Sequence, residues 1–387
     1  MRSGRLREFL GSFGPAWIVM IADVDAPSVL TAATVGATYS YGLIWFFLLL
    51  IVPLFVIQEA SGRVGMATGK GLGQVIRENY SRRVAALASL PMAVVSVVSY
   101  IAEYAGIAVG MELIGVPPIV SVPIAYVAYV AIVVRRKYLT TEKALLAVSA
   151  VLIVAYAGSL VARGLVASST VYFSTAPNYF FLLAACAGAV VMPFMLFYQA
   201  SATAEKKHTR LWAMRTETLV GAVASEAGMV VIAMATSGLS SSLNFANPKA
   251  LSLALSSIAG SYAPYVFAVG LVAAAFLALV VISLGSSWAI VDTMGWQKSS
   301  YIWVYIAESA PAVAIPILYP EPLSLVLGLM VVFVFVLVGP GILMGLLVSN
   351  SKIMGTYASS RTWKVAYWVS FAAVLSFGVA ALLSALT

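Results

Sequence analysis

With one cysteine and one histidine in 387 residues, the chain has almost no side chains for the common metal or nucleophile chemistries. Cys186 has no second cysteine to pair with, so an internal disulfide is excluded and the sequence is silent on redox compartment. A Cys/His zinc cluster or a Ser/His triad would have too few parts, and His208 lies in a Lys-rich stretch that reads as a solvated loop. No Asp/Asp or His-rich constellation takes their place, so an enzyme is not expected. Charge is scarce as well. Asp, Glu, Lys and Arg make up 9% of the residues, against about 25% in soluble domains. Apolar residues make up 62%, with a mean hydropathy of +1.01. A water-soluble domain is excluded, and no stretch between the apolar runs is long enough to form one.

What the chain has in abundance is apolar runs of about 20 residues, the length a helix needs to cross a bilayer. We place eleven spans at 14–36, 42–61, 85–114, 117–134, 144–166, 179–203, 217–238, 262–290, 302–319, 322–348 and 364–386. A second span follows the first closely, with no small-residue cleavage pattern between them, so the first does not read as a signal peptide. The expected fold is all-α and polytopic, with the bilayer as its principal partner. Segment 62–84, rich in glycine and charge, reads as a flexible inner connector. Segment 239–261, rich in turn formers, reads as an external loop.

The net charge of +8 would suit a nucleic-acid partner, but its distribution argues against one. With the N-terminus in the cytoplasm, all but two of the 22 Lys and Arg fall on the inner side; Arg163 and Lys249 are the exceptions. That bias is the positive-inside pattern of a cell-membrane protein, and the odd span count places the C-terminus outside.

Two spans carry interruptions. The first holds Asp23-Val24-Asp25-Ala26-Pro27-Ser28 in mid-crossing, and the sixth holds Ala189-Val190-Val191-Met192-Pro193-Phe194. A proline inside a helix removes a hydrogen bond and clashes with the preceding turn, at about 3 kcal/mol or more in water. In lipid the freed backbone groups need a protein partner or a hydrated cavity. Spans one and six correspond when ten helices form two inverted five-helix repeats, and transporters of that design bind substrate where the two broken helices meet. The single membrane domain, 1–387, then divides into a first repeat (1–166), a second (179–348) and an additional helix (364–386).

These residues resemble the NRAMP divalent-metal transporters. The stretch from Gly14-Pro15 through Asp25-Ala26-Pro27-Ser28 is similar to that family's first helix, with its Gly-Pro pair followed by Asp-Pro-Gly-Asn. Further similarity runs through Gly62–Gly71, Ala102-Glu103, Ala189–Pro193 (the family's Ala-x-x-Met-Pro-His) and Ser349–Gly355. The resemblance implies a fold of the LeuT type. It implies that Asp25 is the metal-binding carboxylate, Met192 the sulfur ligand, Ala189 a carbonyl donor, and Glu103 an acid linked to proton movement. Three departures stand out. Ser28 replaces the asparagine ligand, Phe194 a histidine, and Tyr100 an aspartate; the last two remove groups from the family's proton route. Asp23 and Glu226 are acids the family pattern does not call for, with a gating, vestibule or compensating role open to them.

The chemistry follows from the donors. Asp25 offers a carboxylate, the unwound segments offer carbonyls at Ala26 and Ala189, and Ser28 offers a hydroxyl. Hard oxygens suit Mg²⁺, Ca²⁺ and Mn²⁺, and the Met192 thioether tilts the set toward Mn²⁺ or Fe²⁺. Methionine is also an ordinary packing residue. A carboxylate at bilayer depth costs at least about 2.5–3.5 kcal/mol and is a functional candidate by default. Glu59, Glu112 and Glu308, nearer span ends, read as structural. The expected activity is divalent-metal transport with proton coupling weak or absent and no resident cofactor. An NRAMP-related Mg²⁺ transporter, an organic-solute carrier of the same fold and a non-transporting membrane subunit are the alternatives; the oligomeric state stays open, a monomer included.

Overall fold

The computed structural model describes residues 13–134, 138–206, 210–245, 247–318 and 326–386; His208 lies outside them. Among the described residues the regular structure is helical throughout. Nine helices among the described residues are long and apolar enough to cross a membrane, and a bent pair makes a tenth crossing. The remaining expected span, 117–134, forms a helix of 17 residues, Pro118–Val134.

The first half begins with α1 (Pro15–Ala22) and α2 (Ala26–Tyr39), which meet at a 50° bend. It continues through α3 (Ile44–Thr68), a short α4 (Leu72–Asn79), α5 (Arg82–Leu113), α6 (Pro118–Val134) and α7 (Tyr138–Arg163). The second half repeats the order. The pair α8 (Pro177–Val190) and α9 (Pro193–Glu205) is followed by α10 (Leu211–Thr236), a short α11 (Pro248–Ala259) and α12 (Ala263–Met294). Next come α13 (Tyr301–Ser309) with its continuation α14 (Ala314–Leu318), then α15 (Val326–Val336) with α16 (Val338–Ser349). Both halves open on a broken helix, carry a short helix before the third crossing, and make that crossing 32 residues long. The small α17 (Ser351–Met354) and the 26-residue α18 (Arg361–Leu386) complete the chain.

Two connectors differ from expectation. In 62–84 the helix α3 runs on to Thr68, because Glu59 and Arg63 sit one turn apart and pair at 3.0 Å inside the protein. Gly69 then ends it in the left-handed conformation (φ 63°), and α4 follows. In 239–261 the Asn-Pro pair starts a helix instead of a turn. The Asn247 side chain accepts a hydrogen bond from Ala250 N (3.0 Å), and Pro248 occupies the first helical position, where its missing N–H costs nothing.

The broken helices lie at the centre. The window on α8–α9 is 89% buried, against 28% on α18 at the periphery. Exposed apolar side chains such as Leu87, Val94, Val154, Val161 and Leu383 form the outer belt expected of lipid-facing helices. Within the bundle α12 packs along α5 and α7, while α10 lies against α1, α2 and α3. Each half of one broken helix meets a half of the other: α1 packs on α9, and α2 on α8.

Candidate metal-binding site

Pro27 cannot donate to the preceding turn, and Asp25 supplies an alternative end. Its backbone is extended (φ −82°, ψ 178°), and its side chain caps α2 by accepting the Ser28 N–H at 2.7 Å. The α2 N-terminus thereby directs its positive dipole end at two acids, because Glu103 on α5 accepts the Ala26 N–H at 3.1 Å. The carboxyls of Asp25 and Glu103 interact across the gap, and the second Glu103 oxygen, Oε1, has no hydrogen-bond partner. Asp25, Ser28 and Glu103 are all buried, and the Ser28 hydroxyl is unpartnered.

At the other break, α8 ends at Val190, Val191 leaves the helical conformation (φ −131°, ψ 83°), and the extended Met192 (φ −82°, ψ 138°) precedes Pro193 at the start of α9. The two halves stay close enough in line to form one 29-residue crossing, so this break is gentler than the first. The last turn of a helix leaves its carbonyls without intrahelical partners, which places Ala189 among the available donors. The corresponding helix end at the first break is Ala22, the last residue of α1, whereas the expected donor Ala26 lies on the other side of the break. Ala26 opens α2, where it presents its N–H to Glu103 and its carbonyl enters the helical ladder. Met192 is completely enclosed.

The departures from the resembled pattern have definite surroundings. Phe194 packs edge-on against Phe333 with ring centres 5.9 Å apart, and Tyr100 donates to Ser283 Oγ at 3.2 Å. Asp23 ends α1, and both of its oxygens lack partners, as do both oxygens of Glu226 on α10. The acids read as structural divide. Glu59 binds Arg63 and, at 2.8 Å, Arg215; Glu308 accepts from Ser286 at 2.9 Å. Glu112 lines a pocket together with Lys249.

One cluster escaped sequence reasoning. Glu217 accepts the N–H groups of Gly14 (2.7 Å) and Trp17 (2.9 Å), pinning the start of α1 to α10. Lys206, just beyond α9, donates to the Phe13 carbonyl and to Glu142 on α7, both at 2.6 Å. The signal was an acid at the edge of an apolar run, but its partner lies about 200 residues away. A polar vestibule of about 570 Å³ opens beside this end of the bundle, lined in part by Lys70, Ser201, Glu205, Asp292 and Lys298.

Among the described residues no three His, Cys, Asp or Glu side chains converge as a metal cluster. The groups gathered at the two breaks are instead a mixed set: the Asp25 carboxylate, helix-end carbonyls, the Ser28 hydroxyl and the Met192 sulfur.

The fold and the paired breaks define a membrane transporter of the broken-helix, two-repeat class. Solved structures agree on the architecture. A manganese transporter from Eremococcus coleocola superposes with a TM-score of 0.80 at 14% identity, covering 97% of this chain and 86% of that one. The nucleobase-cation-symport transporter Mhp1 superposes at 0.65 and 12% identity, over 96% of this chain and 91% of its own. The chain belongs to the Nramp family (natural resistance-associated macrophage protein-like), whose profile matches residues 16–384. Among curated relatives, the divalent metal cation transporter MntH of Klebsiella pneumoniae (strain 342) is 26% identical over 95% of this chain and 92% of its own. MntH of Bacillus subtilis (strain 168) is 32% identical over 40% of this chain and 38% of its own.

Proposed function

We propose that this protein is a secondary transporter that carries divalent metal cations across the cell membrane by alternating access, with Mn²⁺ or Fe²⁺ as cargo and little or no coupling to protons. The observation that carries the reading is the pair of packed helix breaks at matching places in the two repeats, with buried Asp25 at one and buried Met192 at the other.

A cation leaving water must recover its lost oxygen ligands and a compensating charge. Asp25 supplies charge, Ser28 a hydroxyl, and the ends of α1 and α8 supply carbonyls at Ala22 and Ala189. Met192 adds a soft donor that favours Mn²⁺ and Fe²⁺ over Mg²⁺ and Ca²⁺. Entry of the ion competes with the Ser28 N–H for Asp25, so binding at the first break alters the cap of α2. That couples occupancy to the angle between α1 and α2. Because α1 packs on α9 and α2 on α8, a change in that angle passes to the second break. Mg²⁺ is the second reading, favoured by the hydroxyl and carboxylates and opposed by the single sulfur.

Weak proton coupling rests on Phe194 and Tyr100, neither of which titrates near neutral pH in place of a histidine and an aspartate. The charge asymmetry supports a cytoplasmic N-terminus and an external C-terminus. Proteoliposomes loaded with a pH-sensitive dye test the whole reading. Externally added Mn²⁺ should accumulate without stoichiometric acidification of the lumen. One proton per metal ion would overturn the coupling claim, and absence of any divalent flux would overturn the function.

A further inference from the structure

We propose that Glu308, beside the break between α13 and α14, holds a monovalent cation, Na⁺, at a site separate from the Asp25–Met192 breaks and independent of the cargo carried there. Glu308 lies midway along the crossing Lys298–Leu318 and is 8% exposed. A carboxylate at that depth is costly and marks a functional position. Its Oε1 accepts the Ser286 hydroxyl of α12 at 2.9 Å, and its Oε2 is buried with no hydrogen-bond partner. Among the described residues Glu308 forms no ion pair, so neither Lys nor Arg offsets its charge.

The surroundings supply neutral oxygen. After Ser309 the α-helix gives way to one 3-10 turn, Pro311–Val313, before α14 resumes. Pro311 has no N–H to offer the Ala307 carbonyl, which stands one residue before Glu308. Val313 N donates to the Ala310 carbonyl at 3.3 Å, not to Ser309, where a continuous α-helix would send it. Ser283, Ser286 and Ser287 share one face of α12. Ser283 accepts the Tyr100 hydroxyl of α5 at 3.2 Å. On α13, Ser309 accepts the Tyr129 hydroxyl of α6 and donates to the Tyr305 carbonyl at 2.6 Å. Hydroxyls from α5, α6 and α12 thus lie within about one turn of the Ser286–Glu308 contact.

The inner vestibule of about 570 Å³ provides an approach, because Val133 of α6 and Tyr301 of α13 line it. Tyr129 and Tyr305 sit one turn deeper on the same two helix faces, with ring centres 6.4 Å apart. The inner route to Ser309 and Glu308 runs past these two rings.

Charge decides the kind of ion. One carboxylate balances one positive charge, so Na⁺ with Glu308 is neutral, whereas a divalent ion leaves a net charge in hydrocarbon. Glu308 Oε2, the Ser286 hydroxyl and the freed Ala307 carbonyl are hard oxygens, and interrupted membrane helices commonly use such carbonyls for Na⁺.

Equilibrium binding of ²²Na⁺ to the purified full-length protein in nanodiscs at pH 8 tests this directly. Wild type should bind one Na⁺ per chain saturably, and Na⁺ should raise the melting temperature relative to choline. Glu308→Gln should abolish the saturable binding, and Ser286→Ala should weaken it about tenfold. Asp25→Asn should leave Na⁺ binding intact. Size-exclusion profiles, and Mn²⁺ uptake by Glu308→Gln in Na⁺-free medium at the wild-type rate, report that the fold and the metal site survive. The wild-type result stands without any variant. Absence of saturable Na⁺ binding by wild type overturns the proposal, since Glu308 then holds a proton only. Binding that persists in Glu308→Gln, or is lost in Asp25→Asn, also overturns it by placing the ion elsewhere. Failure of Mn²⁺ uptake by wild type contradicts the transport reading and leaves the Na⁺ result as measured.

Discussion

Replacing Gly106 by alanine would test how closely the candidate site depends on the fit between α5 and the start of α2. Gly106 lies one turn after Glu103, on the same face of α5, and a Cβ there would stand 2.3 Å from the Cβ of Ala26. Ordinary contacts begin at 3.4 Å, so the helices must part by about 1 Å. Neither atom belongs to a flexible side-chain end, so the backbone has to yield. The Ala26 N–H to Glu103 hydrogen bond is 3.1 Å long, and a shift of that size carries it beyond bonding range. Overpacking costs about 1–3 kcal/mol. At about 1.4 kcal/mol per factor of ten, that is roughly a fivefold to 150-fold loss if it is expressed in metal affinity. Mn²⁺ uptake by proteoliposomes should show this as a raised KM or a lowered rate. Gly228→Ala is the control, because its new Cβ meets Val24 at 3.5 Å, an ordinary contact. Wild-type uptake by Gly106→Ala would refute the idea that α5 positions the first break.

Glu217→Ala leaves the N–H groups of Gly14 and Trp17 without their acceptor, at about 1–3 kcal/mol, and should loosen α1. Hydrogen exchange at residues 13–22 should quicken while that of α10 does not, and unchanged exchange in α1 would count against the clamp. Arg63→Leu removes a buried partner of Glu59 and should cost about 3 kcal/mol or more, whereas Arg215 is more exposed and its loss should cost less. Denaturation midpoints in detergent check the order of the two, and the reverse order would contradict it. Met192→Ala should reduce the preference for Mn²⁺ over Ca²⁺ in competition uptake; an unaltered ratio would deny the sulfur a ligand's role.

The crossings are legible because each needs an unbroken apolar run, and a run of that length suits little besides a bilayer. The two breaks are legible for the opposite reason: Asp25, Pro27 and Pro193 are residues a continuous lipid-embedded helix would not keep without cause. Connectors are harder to read. The glycines of 62–73 suggest a loose link, but buried pairing of Glu59 with Arg63 and Arg215 extends α3 through them, and no local pattern announces a partner more than 150 residues away. The clamp on α1 is hidden likewise, since Glu217, Lys206 and Glu142 are unremarkable charges until the bundle brings them to Gly14 and Phe13. Sequence locates the first break to within a few residues but does not say on which side of it the free carbonyls lie, so it does not separate Ala26 from Ala22. The cap geometry of Asp25 decides that.

Crystals grown or soaked with Mn²⁺ and measured near the manganese absorption edge test the central claim most directly. An anomalous peak within bonding distance of the Asp25 carboxylate and the Met192 sulfur is the predicted result. Well-ordered maps with both side chains in place and no peak between them would contradict it.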